Sequence, residues 1–272
     1  MPEGPEIKIA ADKLARVLEG QRIIRVEFGL TALEKFNAVL SGYTISAIET
    51  RGKALLTHFE HGLSIYSHNQ LYGQWRIVKG QSIPLSNRSQ RILLQTASHT
   101  AILYSASDIS VWPTNELAMH PFLAKVGPDI LQHDIQWRDV YARLNDIRFK
   151  RRQLSALYLD QHFLAGNGNY LRSEILFEAG LFAKQKPMDL SRAELGKLAR
   201  ATLMISRRSY DTAGITLAPR LVKHLTKHSP NSRHRFYVFS RAGQACHVCG
   251  TTIERIEMNG RRLYFCPTCQ PS

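Results

Sequence analysis

Apolar side chains recur at helical spacing from the start of the chain: Ile7, Ala10, Ala11, Leu14, Val17 and Leu18, with Gly20 closing the run. Pro5 fits a first helical turn. Pro2 and Glu3 therefore stand just ahead of a helix start, where backbone N–H groups point outward and favour anions. From about residue 23 to residue 111 the pattern changes to short runs of β-formers. Ile23-Val26, Leu63-Tyr66, Gln74-Val78, Ile92-Gln95 and Ile102-Tyr104 are separated by turn residues, and this spacing predicts an antiparallel sandwich or barrel.

His120-Pro121 and Gly127-Pro128 punctuate a linker, and helical patterns follow it. Trp137, Val140, Tyr141 and Leu144 share one face, and Leu154, Leu157 and Tyr158 share another. Ser191 and Glu194 form a capping box ahead of Leu195, Leu198 and Thr202. Between these patterns Gly166-Asn167-Gly168-Asn169 reads as a turn that opens a second helix. A glycine turn is more often a plain helix connection, but in a basic chain it can bring backbone close to a phosphate.

Charge sharpens the picture. The chain has 272 residues, with 36 Lys+Arg against 22 Asp+Glu, a formal net charge of +14. Such an excess favours a polyanionic partner, with phosphate counterion release as the main source of affinity. The excess is concentrated in Arg148, Lys150, Arg151 and Arg152, and again from Arg220 through Lys223, His224, Lys227 and His228 to Arg233, His234 and Arg235. Phe236, Tyr237 and Phe239 follow directly, and basic runs beside aromatics suit nucleic acid better than a plain solvated face. No run is long and apolar enough for a membrane span, and the first twenty residues show no secretory h-region, so a cytoplasmic, reducing location is expected.

All four cysteines lie near the end, as Cys246-x-x-Cys249, sixteen residues, then Cys266-x-x-Cys269. Two such pairs complete a tetrahedral four-thiolate site, closed to water, so one structural zinc is expected and no metal chemistry. Between the pairs, Asn259-Gly260 is a strong hairpin turn signal, flanked by Thr251-Met258 and Arg262-Phe265. A zinc-pinned hairpin would carry Arg261 near its tip, suited to a phosphate, although a solvated turn residue fits the position equally well.

Pro2 adds candidate chemistry. Loss of Met1 would leave it as a terminal secondary amine, and α-amino groups have pKa values of roughly 7.7 to 8.0 against about 10.4 for lysine. Near neutral pH part of it is unprotonated and can attack a carbonyl-type carbon. The product is an iminium, which stays cationic and acts as an electron sink.

These features together resemble the formamidopyrimidine-DNA glycosylase and endonuclease VIII family, closest to its bacterial endonuclease VIII branch. The resemblance rests on Pro2-Glu3-Gly4-Pro5-Glu6, Arg51-Gly52-Lys53, His120-Pro121-Phe122-Leu123, Gly127-Pro128-Asp129, Gly168-Asn169-Tyr170 and the four-cysteine hairpin carrying Arg261. It implies an α+β multidomain fold: an N-terminal β-sandwich with its helix over 2–118, a linker over 119–134, a helix–two-turn–helix domain over 135–235 and a zinc finger over 236–272. It implies a bifunctional DNA glycosylase and AP lyase acting on double-stranded DNA with damaged bases or abasic sites, as a monomer.

The same resemblance implies roles for individual residues. Pro2 is the nucleophile on C1′, Glu3 the acid that helps open the sugar and release the base, and Glu6 supports the site. Lys53 contacts the lesion strand and assists protonation or elimination. Asn169 and Arg261 grip phosphates, and Lys125 falls where endonuclease VIII proteins are basic. Gln70, Leu71 and Tyr72 match the wedge that fills the gap left by a flipped nucleotide.

The wedge points to oxidised pyrimidines, with oxidised or ring-opened purines as the alternative substrate. A non-catalytic zinc-ribbon protein that binds damaged DNA is the reading from another class, and it has no use for Pro2, Glu3 and Lys53. Two departures stand out. Asn167 replaces the apolar residue usual between the glycines, and the stretch 212–235 is longer than in typical endonuclease VIII.

Overall fold

The computed structural model describes residues 2–229 and 234–271. Met1, and Arg233 of the basic stretch, lie outside the described residues. The chain forms two compact units: Pro2 with Glu6–Lys125, and Glu3–Pro5 with the chain from Val126 onward.

The first unit holds helix α1 (Gly4–Leu18), whose first turn belongs to the other unit, a short α2 (Phe36–Leu40) and eight strands. The strands are β1 (Arg25–Phe28), β2 (Ile45–Arg51), β3 (Ala54–Phe59), β4 (Leu63–His68), β5 (Gln74–Lys79), β6 (Gln90–Gln95), β7 (His99–Tyr104) and β8 (Asp108–Pro113). They form two antiparallel four-stranded sheets, ordered β2-β3-β4-β8 and β1-β6-β7-β5. Both contribute to one core with α1: Ile7, Ala11, Leu14 and Leu18 meet Val26, Phe28, Ile45, Phe59, Ile65, Ile92, Leu94 and Leu103. The sandwich expected from the sequence is therefore present. The strand expected at Ile23-Val26 begins at Arg25, because Ile23 donates to Tyr43 O at 2.9 Å while Ile24 donates to Gln95 O at 2.8 Å. The chain is crossing between sheets at that point.

The second unit contains α3 (Trp137–Asn145), α4 (Leu154–Leu157), α5 (Asn169–Ala179), α6 (Arg192–Asp211), α7 (Pro219–His228) and the hairpin β9 (Glu254–Met258) and β10 (Arg261–Phe265). The Ser191–Glu194 capping box forms as read, with Ser191 N–H donating to Glu194 Oε2 at 2.8 Å. Helix α5 is buried on every side, including its polar Arg172, Ser173 and Glu174. The Glu174 carboxylate accepts N–H groups of Tyr237, Val238 and Phe239 at 2.8, 2.8 and 2.9 Å, tying α5 to the segment that leads into the cysteines. The long stretch 212–235 is not simply a loop. Pro219 starts α7, whose Leu221, Val222 and Leu225 pack on the core around Cys246 and Cys266.

Candidate active site and zinc centre

The start of the chain is fixed by a helix far along it. Glu3 is 3% exposed, and its carboxylate accepts the N–H of Tyr170 at 2.8 Å and of Leu171 at 3.2 Å. These are the second and third helical residues of α5, whose N-cap is Gly168, a residue with no side chain to cap them. Glu3 supplies the missing cap, and the positive end of the helix favours its negative charge. The glycines make room for it. A Cβ on Gly168 would lie 2.3 Å from Glu3 Cδ, and Gly4 N–H donates to Gly166 O at 2.8 Å. Pro2 is half-buried and stands one residue ahead of this anchor.

Asn169, the first residue of α5, is held in one orientation. Its Oδ1 accepts from Arg172 Nη2 at 2.7 Å and its Nδ2 donates to Arg262 O at 2.7 Å. An amide nitrogen has two N–H groups, so one is left for an anion. Arg172 is fully buried and also donates to Ser155 O at 3.0 Å and Arg262 O at 3.3 Å. Burial pulls its guanidinium down to about 10, with Glu3 opposing the shift and Arg261 adding to it. Arg172 thus links the hairpin to the helix start that binds Glu3, a role no local pattern announced. Arg261 is exposed, opens β10 opposite Met258 and follows the turn Asn259-Gly260, whose φ values of 56° and 66° give the expected type I′ geometry.

In the first unit, Lys53 sits in the two-residue turn that joins β2 to β3, led by Gly52 at φ 63°. His68 is paired with Asp108 across the sheet, and Lys53 and Asp108 both act on it electrostatically. Burial and Lys53 lower the His68 pKa while Asp108 raises it, with burial the largest cause. Beyond His68 the chain makes a tight turn, closed by Gly73 N–H donating to Asn69 O at 2.7 Å. Its tip carries Gln70, Leu71 and Tyr72, with Leu71 48% and Tyr72 69% exposed. Arg88 Nη1 braces the turn at Tyr72 O, 2.9 Å away. Lys125 is exposed in the turn after Phe122, and Glu6 lines a shallow groove with Lys13, Trp75 and Arg76.

The four cysteines converge. Their sulfurs all lie within 4.8 Å of one another, with Cys246 to Cys269 at 4.0 Å and Cys249 to Cys266 at 3.4 Å. Tetrahedral zinc with Zn–S bonds of about 2.3 Å requires sulfurs roughly 3.8 Å apart. The donor set agrees. Hydrogen bonds from Thr251 pull the Cys249 thiol down to about 6, whereas burial pushes Cys266 and Cys269 up. Four thiols this close resist ionising together, and a dication removes that conflict.

Comparison with known proteins agrees at both ends of the chain. The formamidopyrimidine-DNA glycosylase N-terminal domain profile matches residues 1–107, and the zinc finger found in FPG and IleRS matches residues 243–271. The cysteine site is therefore one structural zinc. "Endonuclease 8" of Salmonella schwarzengrund (strain CVM19633) is 47% identical over 99% of this chain and 100% of that protein. "Endonuclease 8" of Salmonella arizonae is 48% identical with the same coverage. Among solved structures, a complex of Lactococcus lactis Fpg with abasic-site DNA matches at TM-score 0.82 and 21% identity, covering 99% of this chain and 100% of that one. A complex of the same protein with N7-benzyl-Fapy-dG DNA gives TM-score 0.82 over 100% of both chains, again at 21% identity. The fold is shared with those structures, and the full-length identity carries more: this chain belongs to the formamidopyrimidine-DNA glycosylase and endonuclease VIII family, the DNA glycosylase/AP lyases of base excision repair.

Proposed function

We propose that this chain excises oxidised pyrimidines from double-stranded DNA through Pro2 and then cleaves the strand by β,δ-elimination. The observation that carries the reading is the seating of Glu3 on the N–H groups of Tyr170 and Leu171, which holds the residue next to Pro2 in one place. The Pro2 nitrogen forms a bond to C1′ as the base departs, and Glu3 assists the opening of the sugar. The resulting iminium draws electrons as a C2′ proton leaves, breaking the C3′–O bond, and a second elimination breaks the C5′–O bond. Lys53 serves proton transfer on the lesion strand, Glu6 supports the site, and Asn169, Arg261 and Lys125 hold phosphates. Gln70, Leu71 and Tyr72 enter the stack in place of the flipped nucleotide, and exposed apolar side chains on a braced turn suit that task.

Identity near 47% to proteins named endonuclease 8 favours pyrimidine lesions. The purine alternative draws on the 212–235 stretch, which carries helix α7 and is the region where the purine-directed branch carries a loop over the flipped base. In this reading the protein works as a cytoplasmic monomer, bound to the nucleoid through its DNA affinity, with domains divided at 118, 134 and 235.

Borohydride trapping on an abasic-site duplex tests the nucleophile. Wild type is expected to form a covalent adduct and Pro2→Gly, whose terminal amine is primary, to form less of it. An adduct of equal yield from the variant would overturn the assignment, and no adduct from wild type would favour the non-catalytic zinc-ribbon reading. Oligonucleotides carrying thymine glycol or 8-oxoguanine separate the two substrates, with faster excision of thymine glycol expected.

A further inference from the structure

Helices α3 and α6 form an open surface groove of about 600 Å³ lined by Trp137, Arg138, Tyr141, Arg192, Gly196 and Arg200. The guanidiniums of Arg138 and Arg200 lie 4.9 and 5.1 Å from the Trp137 ring centre, so the indole orients both. All three arginines are exposed, and among the described residues none makes an ion pair or hydrogen bond. The acids nearby are already engaged. Asp139 accepts Gln136 N–H at 2.7 Å, and Glu194 accepts from Ser191.

The arrangement runs against helix stability. Arg192 stands in the first turn of α6, beside the positive end of the helix. Arg192 and Arg200 share one stripe with Gly196 between them, and glycine is a poor residue for a helix interior. Gly196 is nevertheless buried there, and a Cβ on it would meet the Arg200 guanidinium at 3.4 Å. The glycine leaves the floor beside Arg200 free of a side chain. Three unpaired, partly oriented cations thus surround an aromatic floor.

We propose that this groove binds an acidic peptide segment of a partner protein, its carboxylates paired with the three arginines and an apolar side chain on the Trp137–Tyr141–Gly196 floor. Guanidinium forks match carboxylates bidentately, and cations already oriented by an indole lose less freedom on binding. A bound DNA strand is the weaker fit. Tyr170, at the start of α5, contacts Ser209 of α6 through their hydroxyls at 2.9 Å. At about 1.5 Å per helical residue, Gly196 lies roughly 20 Å along α6 from that point, remote from Asn169. Base stacking would also have to displace guanidiniums already on Trp137.

Fluorescence anisotropy with the full zinc-loaded chain and labelled Asp-Leu-Asp-Phe-Asp tests the proposal. Binding is expected to be at least tenfold tighter than for Asn-Leu-Asn-Phe-Asn or Asp-Gly-Asp-Gly-Asp. Combined Arg138→Ala, Arg192→Ala and Arg200→Ala should weaken it at least tenfold. Gly196→Ala should also weaken it while raising the melting temperature, which separates loss of the site from loss of the fold. No binding by wild type, equal binding of the uncharged peptide, or an unaffected triple variant overturns the proposal. Tighter binding of a five-nucleotide oligo-dT, lost in the same variants, overturns it in favour of a nucleic-acid subsite. None of these outcomes depends on the activity at Pro2.

Discussion

The Nδ1 atom of His68 accepts the backbone N–H of Gln70 at 3.0 Å, while Gln70 itself is held at φ 52°. Left-handed backbone costs a non-glycine residue about 1–2 kcal/mol, so the turn needs such a restraint. Ser107 Oγ adds a second one, donating to Gln70 Oε1 at 2.9 Å. His68→Leu removes the acceptor, whereas His68→Asn keeps an oxygen at the same number of bonds from the backbone. A lost hydrogen bond of about 1 kcal/mol should lower base flipping roughly fivefold in the Leu variant, with recovery in the Asn variant. A fluorescent adenine analogue next to the lesion reports flipping. Equal signals from wild type and His68→Leu would remove His68 from this role, and intact flipping in Leu71→Ala with Tyr72→Ala would remove the wedge itself.

Acid should loosen the first unit. His58, His61, His68 and His120 all have pKa values lowered from 6.5, in each case chiefly by burial. His120 is stacked on Tyr66 at 3.9 Å and accepts Phe122 N–H on Nδ1 at 3.2 Å, which a proton there would prevent. A folded-state pKa below the unfolded one gives stability that is present above the unfolded value and lost as pH falls through the folded one. Melting temperatures measured from pH 8 down to 5 should therefore drop below pH ~6.5. A rise across that interval would contradict the assignment.

Gly168→Ala forces a methyl group to within 2.3 Å of Glu3 Cδ. The carboxylate and the residues before it must move, and a shift of about 1 Å near reacting atoms can cost on the order of a hundredfold in rate. Borohydride trapping should slow accordingly while zinc content stays at wild-type level. Wild-type trapping would show that the glycine is not needed for Glu3 to seat.

Asn167 is fully buried, yet neither its Oδ1 nor its Nδ2 has a protein partner among the described residues. An unmatched buried amide costs about 1–3 kcal/mol. Asn167→Leu, close in size and apolar, should raise the denaturant midpoint by a corresponding amount. A lower midpoint would mean that the amide has a stabilising role.

Removing zinc should unfold the hairpin module. Structural zinc in small modules contributes about 10–16 kcal/mol, as much as the whole stability of an ordinary domain, about 5–15 kcal/mol. A chelating dye should record zinc release in step with loss of duplex affinity, since Arg261 and the Arg262 carbonyl that holds Asn169 both sit on β10. Release with unchanged affinity would separate the hairpin from DNA binding.

Local pattern and chemistry were legible in the sequence where the residues concerned lie close together. The spacing of Ile7 to Leu18, the Ser191–Glu194 box, the Asn259-Gly260 turn and the paired cysteines each depend on a few neighbouring positions. The rest depends on partners distant along the chain. Arg172 reads as an ordinary helical arginine, and only tertiary packing brings Ser155 and Arg262 to it. Glu174 likewise meets Tyr237 and Val238 more than sixty residues away. Helix α7 has little signature in the sequence because its charges dominate the stretch, and three apolar residues suffice to anchor it.

The cap that Glu3 places on α5 also bears on when the protein becomes active. Its two acceptor contacts are to residues 167 and 168 positions later, so a ribosome must deliver most of the chain before they can form. Until then the amine at the front has no fixed address. Under the proposed mechanism, synthesis itself would act as a safety catch: the Pro2 amine of an unfinished chain would precede the helix on which its neighbour Glu3 is seated.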